Sequence, residues 1–232
     1  MAFIADNQLG NPAIAGIVVN ARDVTAEVEQ MGTALHDQAS LVSAITRITE
    51  VRDPYTAGHQ HNVAELSAAI GAEMGLTDQE IRDVRLGAAV HDVGKIGVPT
   101  EILTRPGRLS APEHELIRTH CRVGYEIVSA ADMSSVVADI VLHHHERLDG
   151  SGYPDGLSGD QISRQVRIVG VADVLDAMSS HRPYRPALGL DTALDELTKH
   201  RGNLYCPDVV AAAQTITSPN HRHDLGTTEP TG

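Results

Sequence analysis

His91 and Asp92 stand side by side at the end of an apolar helical run, Ile81, Val84, Leu86, Ala88, Ala89 and Val90. Lys95 follows one turn later, and Gly97-Val98-Pro99 closes the segment. An imidazole and a carboxylate at the mouth of a buried helix must each find a polar partner. A divalent metal would supply that partner, and an ammonium a turn further on suits an anion held on the metal. For a lone His-Asp dipeptide, a satisfied histidine near a helix end is the plainer account. The remaining histidines weigh against it. Of the 13, His221 and His223 lie in a polar tail, and His36, His61, His114, His181 and His200 sit among charged or polar neighbours. His59, His91, His120 and the run His143-His144-His145 do not fit that surface pattern.

The elements that must position these groups can be read from spacing and capping. Val63, Leu66, Ile70 and Met74 recur at helical intervals after Thr56-Ala57-Gly58-His59, which puts His59 at a helix start. Thr77-Asp78-Gln79-Glu80 is a capping box for the helix that ends at His91, and Ser110-Ala111-Pro112-Glu113 repeats the signature ahead of His120. Val136, Val137, Ile140, Val141 and Leu142 lead straight into His143-His144-His145-Glu146. A glycine-rich loop, Asp149-Gly150-Ser151-Gly152-Tyr153-Pro154-Asp155-Gly156, comes next. A helix from about Gln161 to Met178 then carries Asp173 and Asp176. Ser179 to Arg185 reads as a basic loop, and helices near Asp191–Lys199 and Pro207–Thr217 close the domain.

The bulk numbers are consistent with a helical protein. Of 232 residues 41% are hydrophobic, but only 3% are aromatic, with one Phe and no Trp. The core must therefore be aliphatic, which suits closely packed helices better than a β-sandwich. A net charge of -13 argues against duplex nucleic acid as a partner and requires local cations for any anionic ligand. Two cysteines, Cys121 and Cys206, are too few for a disulfide framework. No apolar run approaches the roughly 18 residues of a membrane span, so the expectation is a soluble, cytoplasmic protein with no membrane contact.

The N-terminal part reads differently. Ala15-Gly16-Ile17-Val18-Val19-Asn20 is a short β-rich run, and the stretch from Gly10 to Thr25 resembles the closing strand and exit motif of a PAS sensor domain. Residues 1–23 are thus expected to be a PAS remnant whose body lies outside this chain. Val24, Val28, Met31, Leu35, Gln38, Val42 and Ile45 form a heptad seam, weakened by Gly32. Residues 24–50 are accordingly expected to be a linker helix that makes a parallel homodimer. Residues 51–218 form the main domain, and residues 219–232 a flexible tail.

Five blocks in one order identify that domain. They are Asp53-Pro54-Tyr55-Thr56-Ala57-Gly58-His59, His91-Asp92-Val93-Gly94-Lys95-Ile96-Gly97, His144-His145-Glu146 with Asp149-Gly150-Ser151-Gly152-Tyr153-Pro154, Asp173 to Asp176, and Arg182-Pro183-Tyr184-Arg185. The chain from about residue 45 to 217 resembles the HD-GYP domain, a subclass of the HD phosphohydrolase superfamily. The resemblance implies an all-α, HD-type helical bundle with a dinuclear metal site. It also implies hydrolysis of cyclic di-GMP to pGpG or on to GMP through a hydroxide bridging the metals. By position, one metal would be held by His59, His91, Asp92 and Asp173. The second would be held by Asp92, His120, His144 and His145, with Asp92 bridging. Such a donor set suits divalent transition ions, Fe or Mn foremost and Ni or Zn as alternatives, and without a cysteine it is not biased to zinc alone. Two such ions about 3.5–4 Å apart can share a hydroxide and clamp the departing oxygen of a phosphodiester.

The remaining roles follow from the same resemblance. Lys95, Arg182 and Arg185 are the expected phosphate clamps, and Gly152 and Tyr153 are expected to shape the substrate groove. Glu146 and Asp176 are expected to orient imidazoles, and Cys121 to pack. Tyr55 stands where some family members carry a Glu that holds a third metal, so two ions are expected here. Ser163 stands where the family commonly has Pro. A different class of function is a slow signalling adaptor that binds the dinucleotide and a diguanylate cyclase or PilZ-type partner. Hydrolysis of another cyclic nucleotide, such as a cyclic GMP-AMP hybrid, is a further alternative.

Overall fold

Both capping boxes become helix starts. In the computed structural model the Thr77 backbone N–H donates to Glu80 at 2.8 Å, and the Glu80 N–H returns to the Thr77 hydroxyl at 3.3 Å. Ser110 and Glu113 repeat the exchange. The structure describes residues 3–7, 19–23, 44, 46–49, 53, 58–105, 107–180 and 187–218. Tyr55, most of the heptad seam, Arg182, Arg185 and the 219–232 tail fall outside those residues.

The chain divides into two compact units, Met1–Ala44 and Ile45–Gly232. In the first, β1 (Phe3–Asn7) pairs antiparallel with β2 (Val19–Asp23), with Phe3 opposite Asp23 and Asn7 opposite Val19. The sequence pattern points to one strand over Ala15–Asn20. The observed strand starts four residues later and has a partner, as a lone strand's unpaired backbone groups require.

The second unit is helical: α1 (His59–Glu73), α2 (Asp78–Val90), a 3₁₀ segment (Val93–Gly97), α3 (Thr100–Leu103), α4 (Ala111–Arg118), α5 (His120–Ala130) and α6 (Ser135–His143), followed by a short 3₁₀ turn (Gly159–Gln161), α7 (Arg164–Ser179), α8 (Leu190–Lys199) and α9 (Pro207–Thr217). Its core is aliphatic, as the shortage of aromatics implied. Val63, Ile70, Val84, Ala88, Ile140, Ile168, Leu175, Leu197 and Val209 are essentially sealed from solvent. The long buried helix α7 packs on α1, α2, α6, α8 and α9. Ser163, at the position of the family's Pro, caps α7 by accepting from the Val166 N–H at 3.3 Å. Among the described residues no helix is long and apolar enough to cross a membrane.

The 3₁₀ segment lies against the start of α5 more closely than any side chain would permit. A Cβ on Gly94 would stand 1.9 Å from the His120 carbonyl oxygen and 2.4 Å from the Gly124 nitrogen. Glycine there lets the two backbones touch, which brings Asp92 and His120 to one place.

Candidate metal centre

The helix ends converge. His59 opens α1, His120 opens α5, and His91 and His144 are the residues that cap α2 and α6 at their C-termini. Asp92 follows His91, and Asp173 projects from the middle of α7. The C-terminal ends of α2 and α6 thus bring their negative poles to the centre, where a cation is favoured. His91, Asp92, His120 and His144 are at most 3% exposed, and His59 and Asp173 are buried as well.

The rings are already oriented. Nδ1 of His91 lies 2.6 Å from the Ala88 carbonyl oxygen, Nδ1 of His120 2.7 Å from that of Ile117, and Nδ1 of His144 3.0 Å from that of Val141. A carbonyl oxygen only accepts, so each ring donates through its Nδ1–H and turns its Nε2 toward the centre. Two of those Nε2 atoms meet at Asp92. Its Oδ2 lies 3.4 Å from His91 Nε2 and its Oδ1 3.5 Å from His120 Nε2. His120 Nε2 and His144 Nε2 face each other at 3.3 Å. Acceptors turned toward acceptors in a dry interior are unfavourable, and a divalent cation resolves the conflict. The donor set therefore fits a metal. Among the described residues, three groups have potential ligand atoms that all lie within 4.8 Å of one another: His59, His91 and Asp173; His91, Asp92 and His144; and His120, Cys121 and His144.

Burial disfavours charge on the rings of His120 and His144, and it drives His145 down to about 3, so these rings are neutral. His59 differs. Burial opposes its charge too, but Asp173 at 3.1 Å from Nε2 and Asp176 at 2.6 Å from Nδ1 outweigh that and raise it to about 9. Burial likewise works against the Asp92 and Asp173 carboxylates. Lys95 and His91 overcome it at Asp92, and His59 overcomes it at Asp173, so both are held well below the usual range. Lys95 Nζ lies 2.7 Å from Asp92 Oδ2 and 3.2 Å from Asp53 Oδ2. Burial alone would neutralise this ammonium, and the two aspartates hold it charged.

The structure brings His59, His91, Asp92, His120, His144 and Asp173 into one cluster, with Lys95 on its flank. His145 adjoins it, its ring centroid 4.1 Å from that of His144 and 5.2 Å from that of His120. Its Nδ1 is 3.9 Å from Asp173 Oδ2, its ring stacks 4.7 Å from that of Tyr153, and it belongs to none of the three donor groups. Arg118 lies over the other part of this rim, 4.9 Å from the Tyr153 ring centroid.

Gly152 is hemmed in by its own chain: a Cβ there would meet Glu146 Cα at 2.4 Å and the His145 carbonyl oxygen at 2.5 Å. Among the described residues the Glu146 carboxylate meets loop amides and not an imidazole. Its carboxylate accepts the N–H groups of Asp155, Gly156 and Leu157 at 2.8, 3.1 and 3.0 Å and so fastens the loop that carries Tyr153. Asp176 does meet an imidazole, that of His59, and is itself fixed by Asn62 at 3.0 Å and Ser180 at 2.8 Å.

Sequence reasoning missed Asp53 as a partner of Lys95, Arg118 as a neighbour of Tyr153, and the contact of Cys121 with the centre. The Cys121 Sγ is 3.5 Å from His120 Nε2. It also missed the chain Asp139–His143–Asp155–Arg122, in which His143 bonds Asp139 at 2.7 Å and Asp155 at 3.1 Å, tying α6 to the glycine-rich loop. The spacing of four between Asp139 and His143 was the available signal for that link.

A profile of the HD domain family matches residues 43–209. The chain is similar to the cyclic di-GMP phosphodiesterase response regulator RpfG of Xanthomonas campestris pv. campestris, at 41% identity over 173 residues, covering 74% of this chain and 46% of that protein. It is also similar to 3'3'-cGAMP-specific phosphodiesterase 3 of Vibrio cholerae serotype O1, at 36% identity over 172 residues, covering 74% of this chain and 37% of that one. This chain thus spans less than half the length of these relatives. The HD domain of the L. monocytogenes phosphodiesterase PgpH, solved in complex with cyclic-di-AMP, superposes with a TM-score of 0.59 at 17% identity, covering 82% of this chain and 100% of that one. At that identity the likeness is one of fold.

Proposed function

This chain belongs to the HD domain family, and from that membership we propose that it is a metal-dependent phosphodiesterase of the HD-GYP subclass, hydrolysing cyclic di-GMP to pGpG, to GMP, or to both. The observation that carries the reading is the convergence of the Nε2 atoms of His91 and His120 on opposite oxygens of buried Asp92. A carboxylate so placed is suited to bridge two ions. When bound, two divalent transition ions, iron or manganese with nickel or zinc as alternatives, supply Lewis acidity to the phosphodiester and acidify a water.

The residues divide the remaining work. His59, His91, Asp92 and Asp173 would hold one ion, and Asp92, His120, His144 and His145 the other. Lys95 keeps Asp92 anionic and in place, 2.7 Å away, and adds positive charge beside the phosphate. Asp176 fixes the His59 ring through Nδ1. Tyr153, flanked by the His145 ring and by Arg118, stands beside the cluster and would shape the groove that takes the substrate. Arg182 and Arg185, outside the described residues, would add cations for the phosphates.

The N-terminal unit belongs to the same proposal. Its strand pair is read as the end of a PAS-type sensor domain, and residues 24–50 as the helix that joins two copies and carries the signal. A cytoplasmic location and a diguanylate cyclase or PilZ-type partner accord with that arrangement. The Vibrio cholerae relative, 36% identical, favours one second reading, in which the substrate is the GMP-AMP hybrid.

Metal-loaded protein assayed against cyclic di-GMP, 3'3'-cGAMP and cyclic di-AMP separates these readings. Release of pGpG or GMP with the highest kcat/KM for cyclic di-GMP is the expected result. Higher kcat/KM for the hybrid selects the second reading. Binding without product from any of the three would make the chain an adaptor and overturn the proposal.

A further inference from the structure

Arg118 ends α4, two residues before His120, and its guanidinium carbon stands 4.9 Å over the centre of the Tyr153 ring. That ring lies 4.7 Å from the ring of His145 and 6.5 Å from that of His120, so the cation is one side chain removed from the metal cluster. Lys95, Arg122 and Arg147 are taken up by the protein. Lys95 pairs with Asp92 and Asp53, and Arg122 with Asp155. Arg147 donates to the carbonyl oxygens of Glu146 at 2.8 Å and His144 at 3.3 Å. Among the described residues Arg118 has one ion pair, from Nη1 to Glu115 at 2.9 Å, between side chains 46% and 68% exposed. So exposed a pair contributes little, and among those residues Nε and Nη2 are left for another acceptor.

Position narrows what that acceptor can be. In the proposed reaction the scissile phosphate belongs at the metals, beside Lys95, which touches Asp92 itself. A cation set against Tyr153 meets a part of the ligand that projects away from that phosphate. Cyclic dinucleotides share a sugar-phosphate ring and differ in their bases. Guanine presents two acceptors, O6 and N7, on one edge, and a guanidinium fork matches both. Adenine sets its N6 amino group where guanine has O6, so there donor would face donor.

Resting on the reading of the substrate as a guanine-bearing cyclic dinucleotide, we propose that Arg118 reads the O6/N7 edge of one guanine and selects guanine over adenine at that position. The cation–π contact with Tyr153 restrains the guanidinium before substrate arrives, which lowers the ordering cost of binding. Cyclic di-GMP and the GMP-AMP hybrid both carry such a base, and cyclic di-AMP carries none.

The test compares cyclic di-GMP with its 7-deaza analogue, which lacks N7, on the metal-loaded full chain. It reads KM, and also displacement of a fluorescent cyclic di-GMP from chelator-treated protein. The wild type should favour cyclic di-GMP over the analogue by about fivefold, the worth of one hydrogen bond. Arg118→Ala should weaken binding of cyclic di-GMP about tenfold and abolish that preference. Arg118→Lys keeps the charge without the fork and should lose the preference as well. No preference in the wild type would overturn the proposal and leave the phosphodiesterase standing. So would a preference that survives in both variants, with the two ligands weakened equally, since Arg118 would then serve a phosphate. Neither binding nor turnover of cyclic di-GMP by the wild type would remove the substrate reading and this one together.

Discussion

Asp92 and Lys95 together show how the centre is kept ready. With both partners essentially buried, the ammonium touching Asp92 and Asp53 stands in for positive charge that a metal would bring. Removing one member of such a group strands the others. Lys95→Met should therefore lower the stability of the metal-free protein by about 3 kcal/mol. Added metal should restore much of that, which denaturant unfolding with and without Zn²⁺ would measure. His59 gives the complementary pH effect. Raised to about 9 by Asp173 and Asp176, it is protonated at pH 7, and its proton must leave before Nε2 can bind an ion. Metal affinity should thus rise about tenfold per pH unit up to pH 9 and level off above it. Stability of the metal-free protein runs the other way. The charged His59 stabilises the fold fully below about 6.5, the ordinary histidine value, and this contribution fades as pH rises through 9. Calorimetry in buffers of different ionisation enthalpy should show that proton released on binding at pH 7.5; release of none would contradict the assignment.

Two backbone contacts set the positions of whole elements. The 3₁₀ segment and α5 meet at Gly94, where a Cβ would lie 1.9 Å from a backbone oxygen, so no side-chain adjustment relieves the clash. Gly94→Ala should separate Asp92 from His120 and reduce metal occupancy to well under half, as read by elemental analysis of the folded variant. The loop bearing Tyr153 depends on Glu146 in the same way. Glu146→Ala leaves three N–H groups without their acceptor and should cost about 3 kcal/mol. Because the Glu146 carboxylate bonds loop amides, metal content should stay near that of the wild type while KM rises. An unchanged KM would detach the loop from substrate binding.

Over the whole molecule, what the sequence made legible is what repeats or caps. The helical intervals around Val63 and Ile140, the boxes at Thr77 and Ser110, and the last helix, Pro207–Thr217, all lie where spacing placed them. The cluster of histidines was legible because no surface account covered them. What escaped has in common that it depends on tertiary approach. Glu146 reaches forward to amides at 155–157, Arg118 lies over Tyr153, and Cys121 faces His144 only because α5 and α6 pack together. Nothing in local periodicity encodes those encounters. The β1 strand escaped for the same reason, since Phe3–Asn7 becomes a strand by virtue of its pairing with Val19–Asp23. The charge of -13 adds a requirement at this scale: the doubly anionic dinucleotide of the proposal would have to be drawn in by cations local to the site, such as Lys95 and Arg118.

The most direct test compares the wild type with Asp92→Asn for metal content and for product formed from cyclic di-GMP. The proposed bridge predicts metal-dependent release of pGpG or GMP by the wild type, and a fall of at least about 100-fold in the variant together with loss of bound metal. Equal turnover by the two proteins would contradict it.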